Sequence, residues 1–106
     1  MNKLVRDKIP DIIKNNNELA ETRILSDEEY LIELKKKLLE ECNEVLTADT
    51  KETRLEELAD LLEVMKALAK TDNHNLEDVE LKAKEKALKR GAFDQKIYLI
   101  KTITKD

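Results

Sequence analysis

Apolar residues return every three or four positions along most of this chain, and the polar interruptions between those runs divide it into helices. Pro10 fits the first turn of a short helix reaching about Asn15, because its missing N–H is not needed there; Asn15-Asn16-Asn17 then ends it. Ser26-Asp27-Glu28-Glu29 has the spacing of a capping box, which predicts a helix from Asp27 to about Ala48, about 33 Å long. Asp49 and Thr50 mark a turn. A third helix is expected over about Glu52–Lys70, followed by a loop at Thr71–Asn75. Asn75 caps a fourth, Leu76–Arg90, and Gly91 supplies its stop. Lys96–Thr104 alternates imperfectly, with Ile97, Leu99 and Ile103 on one face, and predicts a short strand; Thr22–Leu25 is the only intrachain partner for it. The pattern therefore predicts an all-α bundle of about four helices with a short β appendage, as one domain over residues 1–106.

Composition narrows the function. One Gly, one Pro, 3% aromatic and 42% charged residues suit long amphipathic helices, whose apolar periodicity argues against disorder. No apolar run is long enough to span a bilayer, and Met1–Asp7 lacks the apolar stretch of a signal peptide, so a cytoplasmic protein is expected. The net charge of −4, with acids and bases mixed throughout, gives no reason to expect nucleic acid as a partner. Cys42 is the only cysteine and reads as a reduced core filler; His74 is the only histidine and reads as a loop residue. No Ser/His/Asp triad, His-based zinc site or phosphate-binding Gly-Lys-Ser/Thr loop can be assembled.

Four acids fall where solvent-facing residues should not. At about 100° per residue, Tyr30, Leu31, Leu34, Leu38, Cys42 and Val45 form the apolar arc of the second helix. Glu41 projects inside that arc, and Glu44 lies at its edge about 60° away. Leu58, Leu61, Val64, Met65 and Leu68 form the arc of the third helix; Glu57 points between Leu61 and Val64, with Asp60 about 60° to one side. Two antiparallel helices packed on these arcs would gather four carboxylates, and a hard divalent cation is the usual remedy for their repulsion. Inward Glu pairs on facing helices are a general way to build bundle metal sites. The plainer alternative is that Glu41 or Glu57 pairs with a lysine, Lys37 standing one turn before Glu41; Glu40, Glu56 and Glu63 lie outside the arcs and read as solvated.

Glu-x-x-Glu at Glu41 and Glu44, followed by Glu-x-x-Asp at Glu57 and Asp60, resembles the signature of the MazG-like all-α nucleotide pyrophosphatase superfamily. The strings Lys37-Leu38-Leu39-Glu40-Glu41 and Glu56-Glu57-Leu58-Ala59-Asp60-Leu61-Leu62-Glu63 carry the likeness. The opening Leu4-Val5-Arg6-Asp7-Lys8-Ile9-Pro10 and the closing Arg90-Gly91-Ala92-Phe93 with Ile97-Tyr98-Leu99 resemble the short "house-cleaning", phosphoribosyl-ATP pyrophosphohydrolase-like branch; Ala92 stands where many relatives have Gly. The resemblance implies hydrolysis of a nucleoside triphosphate to a monophosphate and pyrophosphate. Glu41, Glu44, Glu57 and Asp60 would hold Mg²⁺, which Mn²⁺ can replace, and the ion would neutralise phosphate and activate water. Arg6 and Lys8 come from the matched opening. Lys82, Lys86 and Arg90, at steps of four on the fourth helix, form a positive stripe able to face triphosphate oxygens, or a merely solubilising face. Phe93 either stacks on a base or plugs the core, and the plug is favoured.

Within that class a non-standard or damaged nucleotide is favoured over phosphoribosyl-ATP, since nothing here reads a ribosyl phosphate. The reading from a different class is a non-catalytic helical interaction or regulatory module, for which carboxylates within the arcs have no use. Ile32, Leu39 and Leu46 on the second helix and Leu55, Leu62 and Ala69 on the third form further apolar rows away from the arcs. The fourth helix and the strand can cover one row but hardly both, so a homodimer at least is expected.

Overall fold

Each long helix starts where its capping residue predicts. In the computed structural model, which describes residues 2–106, α1 spans Ile9–Asn15, α2 Asp27–Thr47, α3 Lys51–Thr71 and α4 Leu76–Arg90. Met1, the first residue of the stretch read for a signal peptide, lies outside the described residues. Pro10 opens α1, and Asn17 at φ 63° turns the chain out of it. The Ser26 hydroxyl accepts from the Glu29 N–H while the Glu29 carboxylate accepts from the Ser26 N–H, a reciprocal cap at the head of α2. Thr50 with Thr53 caps α3 in the same way, and Asn75 with Asp78 caps α4. Gly91 ends α4 at φ 82°, a backbone conformation that costs glycine little.

The fold is an all-α bundle organised on the α2–α3 hairpin. α2 and α3 each run 21 residues and are joined through Ala48, Asp49 and Thr50, so they pack antiparallel with residues equidistant from Asp49 level with one another. Leu34 and Val64 obey this register and are the buried apolar residues, 2% and 8% exposed. Tyr30, Leu31, Leu38, Cys42 and Val45 on α2, and Leu61 and Leu68 on α3, are half-buried around them, as the arcs predict. Leu58 and Met65 depart from their arc and are exposed, because the partner helix covers only the centre of that face. α4 touches α3 near the connecting loop and then leaves it: Leu76 and Val79 are half-buried, but every residue from Glu80 onward is exposed.

Among the described residues there is no strand. The stretches proposed as strand partners, Lys96–Thr104 and Thr22–Leu25, are both non-helical, yet no backbone hydrogen bond joins them. A strand exists only through its ladder, and within this chain the two segments form none. Phe93, expected to plug the core, is 97% exposed instead, because the chain beyond Gly91 runs away from the hairpin. Ile32, Leu39, Leu46, Leu55 and Leu62 remain uncovered by α4 or the following segment. The radius of gyration is 18.9 Å, against about 13 Å for a compact domain of this length. No helix among the described residues is long and apolar enough to cross a membrane.

Candidate metal centre

The hairpin register explains which acids meet. Glu41 lies six residues before the end of α2 and Glu57 six residues after the start of α3, so both stand at one height, about 9 Å from the turn. Asp60 follows Glu57 by three residues, which turns it toward the same groove one step deeper. One carboxylate oxygen from each of Glu41, Glu57 and Asp60 lies within 4.8 Å of the other two. Glu44 falls on the turn side of this level and Asp60 on the core side, an axial separation of about 9 Å. Glu44 is accordingly exposed and stands at the rim, near enough to act on its neighbours' charges but outside the group of three.

Glu41 is 8% exposed, the one acid among the buried residues. Burial raises its pKa first, the Asp60 charge next, and Glu40 and Glu44 add to the rise, while Lys37 opposes it. Glu57 is raised as well, by partial burial and then by Glu44, Asp60 and Glu41. These carboxylates disfavour one another's charged form.

Two cations reach the cluster. Arg6 donates from its guanidinium Nη2 to Asp60 Oδ1 at 2.7 Å, which brings the segment ahead of α1 across α3. Lys37 Nζ lies 3.8 Å from Glu41 Oε1 and 3.5 Å from Glu40 Oε1. The lysine partner weighed for Glu41 is thus present, at a separation too long for a good hydrogen bond and shared with a second acid. Glu41, Glu44, Glu57 and Asp60 face two basic side chains, one of them shared with Glu40, so acids outnumber cations at the site by at least two. The donors are hard oxygens on a groove open to solvent at Glu44, and they fit a divalent cation that keeps some of its water.

The other basic residues read as substrate-binding are not paired with the acids. Among the described residues no ion pair joins Lys8, Lys82, Lys86 or Arg90 to the carboxylates. Lys82 pairs with Glu85 on its own helix at 3.2 Å, and Lys86 and Arg90 are exposed on the part of α4 that has left α3. Arg6 was legible as a candidate, but its hold on Asp60 was not: the two are 54 residues apart, and no local spacing joins them. Glu40, Glu56 and Glu63 are exposed, as their positions outside the arcs predict. A groove of about 490 Å³ lies at the far end of the hairpin between Asp27–Leu31 and Ala67–Asp72, remote from the acids.

No protein-family profile matches the chain, and no solved structure matches it. A protein of Mycolicibacterium smegmatis (strain ATCC 700084 / mc(2)155), described as uncharacterized, is 45% identical over 56 residues. That match takes in 53% of this chain and 57% of its relative, so the alignment spans little more than half of either protein.

Proposed function

We propose that this chain is a Mg²⁺-dependent nucleoside triphosphate pyrophosphohydrolase of the MazG-like kind, acting on a non-standard or damaged nucleotide. The observation that carries the reading is the convergence of Glu41, Glu57 and Asp60 within 4.8 Å, with Glu44 at the rim, so that four acids face the two basic side chains Arg6 and Lys37. The order of its motifs, which resembles that superfamily along most of the chain, supports the same class. Glu41, Glu57 and Asp60 would hold the ion, with Glu44 exposed at the rim. A bound divalent cation supplies neutralisation of the polyphosphate and Lewis acidity toward phosphate and water. Arg6 orients Asp60 through a 2.7 Å hydrogen bond, and Lys37 stands 3.8 Å from Glu41 as a nearby charge.

Pyrophosphate release by the purified protein, with Mg²⁺ and a panel of standard and modified nucleoside triphosphates, tests the assignment. Turnover that needs Mg²⁺ or Mn²⁺ and disappears in Glu57→Gln is expected. Inertness toward every nucleotide, with no Mg²⁺ bound at millimolar concentration, would sink it. The exposed apolar rows favour a second reading, a helical module that works through assembly, and Mg²⁺-independent melting would speak for it. Under either reading those rows support a homo-oligomer, at least a dimer, as the working form.

A further inference from the structure

We propose that Thr22–Leu25 and Ile97–Ile103 pair as β-strands between two copies of this chain, each copy lending its 97–103 segment to the other. The two segments share a defect and an opposite need. Both are non-helical, and among the described residues neither makes a backbone–backbone hydrogen bond. A run of unpaired N–H and C=O groups is a template for a strand supplied by another chain.

The first segment is already held in place. Arg23 donates two hydrogen bonds to the Glu29 carboxylate, at 3.2 and 2.7 Å, and so ties the segment to the head of α2. Leu25 is half-buried on the same alternation, while Ile24, the residue between them, is 95% exposed. The second segment carries Ile97, Tyr98, Leu99, Ile100 and Ile103, all largely exposed, so both of its faces are apolar and neither has cover.

Surface area points to a second copy as the occupant. The chain exposes 10354 Å² for 12.3 kDa, where a compact monomer of that mass exposes about 6,100 Å². The surplus of about 4,200 Å² per chain far exceeds the roughly 800 Å² that each partner buries in a standard interface. A two-stranded ribbon is marginal by itself and needs a helix face beneath it; the uncovered row Ile32, Leu39 and Leu46 of α2 supplies one. Reciprocal exchange satisfies two-fold symmetry, because each copy offers one segment of each kind. None of this rests on the catalytic reading, and either can fail alone.

The test is isotope-filtered NMR on an equal mixture of labelled and unlabelled full-length chains. Intermolecular contacts between residues 22–25 and 97–103 are expected, with slowed amide exchange in both. Leu99→Pro, Ile100→Pro and Lys101→Pro complete it: strand N–H groups face the partner alternately, and any four-residue register within 97–103 contains two adjacent members of this set, so at least one of the three substitutions removes a ladder bond. That variant should weaken dimerisation on the order of tenfold or more by light scattering, with helical circular dichroism unchanged. A monomer at millimolar concentration, pairing within one chain, or a dimer with both segments rapidly exchanging and all three proline variants silent would each overturn the proposal.

Discussion

The α2–α3 hairpin and the stretch from α4 onward are built from similar residues, yet they differ in what surrounds each charge. On the hairpin a buried acid, Glu41, is pressed against Glu57 and Asp60, and packing around Leu34 and Val64 holds them there. On α4, Lys82, Lys86 and Arg90 follow helical spacing just as regular, but the helix has left its neighbour and water surrounds them. Spacing along one helix thus produces chemistry only where a second helix excludes solvent. Repulsion among the hairpin acids is maintained by the hydrophobic contacts that force them together; the α4 cations stand exposed and carry no comparable strain.

The strongest way to break this contrast is through the core. Leu34→Ala should destabilise by about 2–5 kcal/mol in chemical denaturation, since it opens a cavity between α2 and α3. Leu88→Ala, on the exposed part of α4, should stay within about 0.5 kcal/mol, and equal losses would show that α4 is packed in solution. At the acids, Glu57→Gln should lower Mg²⁺-dependent pyrophosphate release on the order of a hundredfold or more, against less than about tenfold for Lys86→Gln. A larger loss at Lys86 would move the centre of the chemistry to α4.

Stability without metal sharpens the comparison further. The raised pKa of Glu41 means that the folded state binds its proton more tightly than the unfolded chain does. Its charged form therefore costs stability as pH rises through and beyond the ordinary carboxylate range. Glu41→Gln should raise the melting temperature of the metal-free protein at neutral pH and flatten that decline, while Mg²⁺ should raise the wild-type value and leave the variant nearly unmoved. A variant that melts lower than wild type without metal would show that Lys37 outweighs the three acids.

The smallest effect is expected at Glu29, where the Arg23 guanidinium and the Ser26 N–H push the carboxyl down to about 2 from the usual 4.5. A depressed acid contributes stability that is present above pH 4.5 and lost as pH falls through about 2. Arg23→Gln should remove part of this acid dependence in a melting series, and an unchanged series would show the pair to be idle in solution.

Much of this protein was determined by local sequence. Ser26, Asn75 and Gly91 mark helix ends through hydrogen bonds or backbone freedom that involve only near neighbours, and the ends fall within a residue or so of those marks. The apolar arcs place Leu34, Val64 and Glu41 inside for the same reason: a helix face is set by spacing alone. Tertiary structure decided the rest. The length of the turn at Asp49 levels Glu41 with Glu57 and leaves Glu44 at the rim, although Glu44 and Asp60 look alike in their motifs. Arg6 meets Asp60 across 54 residues. Lys96–Thr104 has strand-like alternation but, among the described residues, no ladder, because a strand, unlike a helix, takes its hydrogen bonds from residues outside its own segment, and spacing within the segment cannot supply them.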